Sequence, residues 1–353
     1  MVCRAVAFFL AMNIALLGLP LAGKKTLFSL LTGRTIPPGR KAGDAIEGRA
    51  PVRDPRVDAI ARIAQPQKIR YAETAFLLCP DVQDGEQDGA WLNPARRSDM
   101  LCLVIRAFGA AEGGAHEGGV DAERDRQRLE TELLLADLAL IERRLERMGR
   151  EARGKTEAAR ATEERTLRKC AAAIEAGKWP ETIGLSEPEK LAVKSLGLLT
   201  LKPVLRVYNV AERDLGTLAE GRLAVACRIE REIMELEDAE ARKAFLKDLG
   251  LSASGLDRLN SAAYERLGLM SFYTMGPDEV RAWTIRQGAT APEAGGKIHS
   301  DIERGFIRVE VIKYDDLMAA GSEAAVRAMG KVQLRGKDYV MQDGDICCFR
   351  FNV

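Results

Sequence analysis

The first bounded apolar run in the chain is NIALL, residues 13–17, closed by Gly18 and Pro20. A run this short, ending in glycine and proline, predicts a buried β-strand feeding a turn, since a helix through Gly18 and Pro20 is poor. The same stretch, with Arg4 as its only charge ahead of a long apolar segment, also has the look of a secretory signal peptide. Cleavage there would remove the glycine loop that follows, so the strand is preferred. Met12 is then a sensible translation start, with residues 1–11 an extension ahead of it. Beyond the loop, Leu27, Phe28, Leu30 and Leu31 predict a helix opening near Lys24. Residues 34–50 are polar with Gly and Pro and read as loop. DAIARIA at 58–64 predicts a short helix, and AFLLC at 75–79 and LCLVI at 101–105 predict buried strands. A loop carrying Gly109, Gly113, Gly114, Gly118 and Gly119 closes this α/β segment.

The pattern then changes. In residues 121–170, 25 of 50 positions are charged, 13 basic and 12 acidic, and Leu134, Leu138, Ile141, Leu145 and Met148 form one apolar seam at 4-3-4-3 spacing. A break at Gly149 and Gly154 precedes a second seam beginning with Leu167, Ala171 and Ile174. Two such helices predict an antiparallel coiled-coil hairpin whose charges form a solvated face. After it, VLRVY at 204–208 predicts a strand ending at Asn209, residues 224–226 another, and residues 228–235 a helix. Residues 238–267 read as helix interrupted between Gly250 and Gly255. From about Met270, alternating runs such as IRVEVI (307–312) and ICCFRFNV (346–353) predict a small mixed α+β or barrel-like domain. Trp283 and Phe306 fall in that strand pattern and are expected in its core.

Composition narrows the functional classes. Lys and Arg total 53 against 52 Asp and Glu, so a globally basic nucleic-acid binder and an acidic tail are both excluded. Seven cysteines in 353 residues are no disulfide framework, and two histidines without a CxxC argue against a structural zinc site. The composition is that of a soluble, cytoplasmic, globular protein, and no membrane association is expected.

Chemistry enters at two places. Gly18-Leu-Pro-Leu-Ala-Gly23-Lys24 has the Gly-x4-Gly-Lys spacing of a phosphate loop, set between a strand and a helix. Glycines there let backbone N–H groups surround phosphate oxygens, and Lys24 reaches the terminal phosphates. The next position ordinarily supplies a Ser or Thr hydroxyl to Mg²⁺; here it is Lys25, with a hydroxyl only at Thr26. Asn209-Val-Ala-Glu212 has the form of a base-contacting loop, a weak signal alone because N-x-x-E also occurs in helix caps.

The strings GPDEVRAWTIRQGATAPEAGGKIHSDIERGFIRVEVIKYDDL (276–317), GKDYVMQDGDICCFRFNV (336–353), TELLLADLALIERRLERM (131–148) and LGLLTLKPVL (196–205) resemble the YchF or Obg-like ATPase family. The stretch at 235–269 is similar to its family counterpart as well. The resemblance implies an α/β P-loop fold of G-domain type (12–119 and 200–268), interrupted by a coiled-coil insertion (120–199) and followed by a β-grasp-like TGS domain (269–353). It implies phosphate contacts at Gly18, Ala22, Gly23, Lys24, Lys25 and Thr26, and base contacts at Asn209, Val210, Glu212, Ala226 and Cys227. N-x-x-E in place of N-K-x-D implies ATP over GTP. His116 falls where the family has a histidine proposed to assist hydrolysis, and the ribosome is the implied partner of a monomer.

Departures from the family pattern cluster at the chemistry. Lys25 replaces the metal-binding Ser, and the family's D-I-A-G-L is replaced by Leu78-Cys79-Pro80-Asp81-Val82, leaving Thr26 and Asp81 as the remaining candidates for Mg²⁺. The first switch retains only Thr35 as a candidate hydroxyl, and the second is shortened. Phosphoryl transfer depends on positioning and charge stabilisation, and one such donor is worth roughly 10²–10³ in rate. The favoured reading is therefore a nucleotide-binding protein with impaired or absent hydrolysis, Lys25 replacing part of the metal's charge. The alternatives are an ATPase using Asp81, Thr26 and His116, and a nucleotide-independent TGS adaptor. Residues 270–353 hold 11 basic and 12 acidic side chains, so an RNA face, if present, is local, with Arg281, Arg286, Lys297, Arg304 and Arg308 as its candidates.

Overall fold

The computed structural model describes residues 12–37, 45–81, 90–109, 120–150, 157–215, 221–236 and 238–352. They divide into two compact units, one formed by residues 12–49 and 75–259, the other by residues 50–74 and 260–353.

The larger unit is built on a six-stranded sheet. Its strands are β1 (Asn13–Leu17), β2 (Ile46–Val52), β4 (Ala72–Leu78), β5 (Met100–Ala107), β6 (Val204–Val210) and β7 (Leu223–Val225); β3 (Lys68–Arg70) belongs to the other unit. The order is β2-β4-β1-β5-β6-β7, with β1 parallel to β4 and β5, β5 parallel to β6, and β6 parallel to β7. NIALL is thus a central strand, buried from Ile14 to Leu17. Strands covered on both faces read as unbroken apolar runs, which is why β1 and β5 are legible in sequence. β2 lies partly within the stretch that reads as loop. Its inward positions are Gly48, Ala50 and Val52, too small to register as an apolar run, and Pro51 interrupts the pattern.

Helix α1 (Lys24–Thr32) follows β1 and buries Leu27, Phe28 and Leu31. α2 (Pro55–Ala64) lies in the other unit, and the short α3 (Asn93–Arg96) precedes β5. α4 (Ala122–Arg150) changes role along its length. Leu129 and Leu133 pack with Ala15, Leu17, Leu101 and Leu103 of the sheet, whereas Ile141 and Met148 pack with Leu167, Cys170 and Ile174 of α5 (Glu157–Glu175). Arg144 pairs with Glu163 at 2.8 Å and Arg160 bonds the Met148 carbonyl, so the two helices run antiparallel. Fully burying a Leu or Ile side chain stabilises by roughly 1.5–3 kcal/mol, so the expected apolar seam suffices to hold the pair. Asp137 of α4 is fully buried and accepts hydrogen bonds from Arg96 Nη1 at 2.6 Å and from the Thr200 N–H and hydroxyl at 2.8 and 2.7 Å.

Helix α6 (Glu187–Val193) is tied to this pair by Glu189. Its carboxylate bonds Lys169 at 2.5 Å and accepts the Ser186 N–H and hydroxyl, each at 2.9 Å. These bonds, led by that from Lys169, hold the carboxyl at about 2, against an ordinary 4.5. A depressed carboxyl contributes stability above its unfolded value and loses it as pH falls through the folded one. Glu189→Gln is therefore expected to melt below wild type at neutral pH, with the gap closing as pH drops from about 4.5 to about 2. Melting curves followed by circular dichroism check this; a gap that persists at pH 2 contradicts it. The unit ends with α7 (Cys227–Glu235), α8 (Ala239–Asp248) and the start of α9 (Gly255–Arg266), the break between the last two falling at the glycines where interruption is expected.

The smaller unit contains β8 (Leu269–Met275), β9 (Glu279–Arg286), α10 (Ala291–Ile298), α11 (Ser300–Arg304), β10 (Phe306–Lys313), α12 (Tyr314–Ala320), α13 (Glu323–Ala328), β11 (Gln333–Arg335) and β12 (Asp345–Phe351). Its sheet runs β11-β10-β12-β8-β9-β3. β3, from far earlier in the chain, pairs in parallel with β9. Phe272, Ile285, Phe306, Val309, Val311 and Cys347 form the core with Trp283 and Phe349 against it, as expected for Trp283 and Phe306. α2 starts where Asp54 caps it by accepting the Arg56 N–H, with Pro55 at the first helical position. Arg56 reaches on to Asp343 at 2.6 Å, and Asp54 also accepts from the Tyr273 hydroxyl, so residues 54–56 are bonded into this unit.

Candidate functional site

β1 ends at Leu17 and the chain turns at once. Gly18 lies so close to β5 that a Cβ would sit 2.7 Å from the Val104 carbonyl oxygen. Leu21 takes a left-handed φ of 62° at the exposed tip of the loop. Gly23 follows with φ 89° as the residue before α1, and a Cβ there would fall 2.1 Å from Asn209 Nδ2. Helix α1 has no acidic residue in its own first turn, where an anion would meet the positive end of its dipole.

Asn209, near the end of β6 and buried, explains the close approach. Its Nδ2 donates to the Ala22 carbonyl at 3.1 Å and its Oδ1 accepts the Cys227 N–H at 3.3 Å. One amide thus fastens the glycine loop to the start of α7. Val210, Ala226 and Cys227 are buried beside it, and burial pushes the Cys227 thiol up to about 12. Glu212 opens a short 3₁₀ turn on the exposed side, and among the described residues its carboxylate has no hydrogen-bond or ion-pair partner.

Lys24 is 2% exposed. Its Nζ donates to the Pro80 carbonyl at 2.7 Å, lies 3.5 Å from the Gly18 carbonyl, and stands 3.1 Å from Asp81 Oδ1. The other oxygen of Asp81 is 3.7 Å from Lys25 Nζ, which is 63% exposed. Burial is the larger influence on Lys24 and lowers its ammonium below the ordinary lysine range, while Asp81 pulls the other way. The structure therefore brings Gly18, Ala22, Gly23, Lys24, Lys25, Asp81, Asn209 and Cys227 together. Thr26 is half-buried in the first turn of α1, and His116 lies outside the described residues. Sequence reasoning missed the Pro80 carbonyl, since a backbone acceptor leaves no trace in side-chain identity.

A magnesium ion demands near-octahedral oxygen donors. Asp81 turns both oxygens toward ammonium groups, and Thr26 is one residue past the position at which the motif would supply its hydroxyl, about 100° around a helix of 3.6 residues per turn. The donor set as arranged does not fit the ion. Among the described residues no group of three or more His, Cys, Asp or Glu side chains is placed to hold a metal.

Comparison with known proteins agrees with this architecture. The "Ribosome-binding ATPase YchF" of Bacillus subtilis is 37% identical over 98% of this chain and 100% of its own length. The chain belongs to the YchF family. The protein of the same name from Haemophilus influenzae is 37% identical over 96% of this chain and 98% of its own. The solved structure of the Schizosaccharomyces pombe YchF GTPase superposes with a TM-score of 0.80 at 29% identity, covering 96% of this chain and 98% of that one. A model named YchF-GTPase_C, described as "Protein of unknown function (DUF933)", matches residues 269–352, the YchF segment from β8 to β12. The fold is an α/β P-loop G-domain with a C-terminal domain. No helix among the described residues is long and apolar enough to cross a membrane.

Proposed function

We propose that this YchF protein binds a purine nucleotide, ATP in preference to GTP, with hydrolysis impaired or absent, and that it works in the cytoplasm on the ribosome. The observation that carries the reading is the loop itself. Its glycine geometry, the fastening by Asn209 and the buried Lys24 are intact, while the partners that would hold a metal are replaced by Lys25 and a carboxylate engaged by two lysines. Binding draws on the backbone cradle and Lys24; hydrolysis needs in addition charge stabilisation at the γ-phosphate. The N-x-x-E spacing of Asn209 and the exposed Glu212 supports the preference for ATP, and the bacterial relatives are named ATPases. The coiled-coil hairpin and the C-terminal TGS domain are the surfaces read as facing the ribosome, in a monomer.

Titration calorimetry with ATP and GTP, paired with a phosphate-release assay, tests this. ATP should bind more tightly than GTP with no turnover above background, and Lys24→Ala should weaken binding at least about tenfold, or 1.4 kcal/mol. Turnover that disappears in Lys24→Ala would instead establish an active ATPase. Ribosome association should appear as co-sedimentation at low salt, where electrostatic contacts are strongest.

A further inference from the structure

We propose that the phosphate loop takes its nucleoside polyphosphate as the metal-free anion, with Lys25 in the place of the divalent cation, and that Asp81 holds Lys24 and Lys25 until the phosphate displaces it. The inference rests on the nucleotide-binding reading above and specifies the ligand form which that site accepts.

The geometry is a carboxylate shared by two ammonium groups, one buried at the base of the loop and one exposed at the next residue, 3.1 and 3.7 Å from separate oxygens. A terminal phosphate presents the same kind of surface, an anion with several oxygens for several donors. Asp81 is thus an internal stand-in for the ligand, and it occupies the cations that the ligand needs. A metal ion brought in with the nucleotide would place its two positive charges beside Lys25 and reduce the negative charge that attracts both lysines. At contact distances such like-charge pairing costs energy even where water screens it. The uncomplexed polyphosphate carries the larger negative charge and, with Asp81 displaced, meets Lys24, Lys25 and the start of α1 together.

This arrangement gives Asp81 a role of opposite sign to that of a metal-holding carboxylate. Where aspartate positions a metal, its loss weakens nucleotide binding; here its loss removes a competitor. The test is equilibrium titration of the full chain with ATP, in EDTA and in excess Mg²⁺, for wild type, Asp81→Asn and Lys25→Ser, with thermal melts to confirm folding. Wild type should bind more tightly in EDTA, Asp81→Asn should tighten that binding about tenfold, and Lys25→Ser should bind more tightly with Mg²⁺ than without. Binding by Asp81→Asn alone would overturn the inference, because the phosphate would then not displace Asp81 in wild type. Wild-type binding that is tighter with Mg²⁺, or that is unchanged or weakened by Asp81→Asn, would overturn the inference and leave nucleotide binding standing. ATP binding by neither protein would overturn both.

Discussion

Arg96→Ala is expected to destabilise the protein by about 3–5 kcal/mol, the range found when one partner of a buried ion pair is removed. Asp137 is fully buried in α4, and among the described residues Arg96 is the one charged group hydrogen-bonded to it, at 2.6 Å; its other bonds come from Thr200. Without the guanidinium, two neutral hydrogen bonds must support a carboxylate removed from water. The same substitution frees the Gly197 and Ala136 carbonyls that Arg96 also contacts. Urea denaturation with an unchanged m-value measures the loss, and a change below about 1 kcal/mol, the scale of an exposed pair, would refute the account. Arg96→Met with Asp137→Asn should recover part of it, because the amide oxygen still accepts from Thr200 while the stranded charge is removed.

Gly23→Ala should cost about 3–4 kcal/mol and abolish nucleotide binding. Left-handed backbone costs a residue bearing Cβ roughly 1–2 kcal/mol, and Gly23 sits at φ 89°. The added methyl would also lie 2.1 Å from Asn209 Nδ2, displacing the amide from Ala22 and Cys227. Two net hydrogen bonds at about 1 kcal/mol each supply the remainder. The clash and the lost bonds involve the same side chain, so the two substitutions are not independent. Gly23→Ala combined with Asn209→Ala should be little less stable than Gly23→Ala alone. Full additivity in thermal melts would show that the two residues do not act through each other.

The elements that sequence reveals are those whose own side chains declare the environment. NIALL and LCLVI are apolar throughout because both faces of those strands are covered, and the seam of α4 shows because it packs against α5 and against Leu185, Val193 and Leu198. β2 conceals itself behind Gly48 and Ala50. β3, with Lys68, Ile69 and Arg70 all exposed, exists only by virtue of β9, and no pattern internal to three residues can announce a partner some 210 positions away. The site divides the same way. Lys24 and its glycines follow from spacing, since backbone φ restricts which residues fit. Asp81 stands three residues later than the family pattern, and its pairing with both lysines depends on where β4 ends, a property of the sheet and not of the motif.

The placement of residues 50–74 carries a consequence for biosynthesis. Val57, Ile60 and Ala61 of α2 are buried in a unit whose remaining strands begin at residue 269. At roughly 5–20 residues per second, a ribosome takes on the order of tens of seconds to supply that remainder. During this interval the helix has no native surface to cover it, while β1 is already available to its early neighbours. Contacts this distant along the chain make the smaller unit the slow step of folding. A nascent chain arrested before residue 269 should therefore present α2 to chaperones, and a fragment cut at the start of the C-terminal family match would lose part of its own sheet.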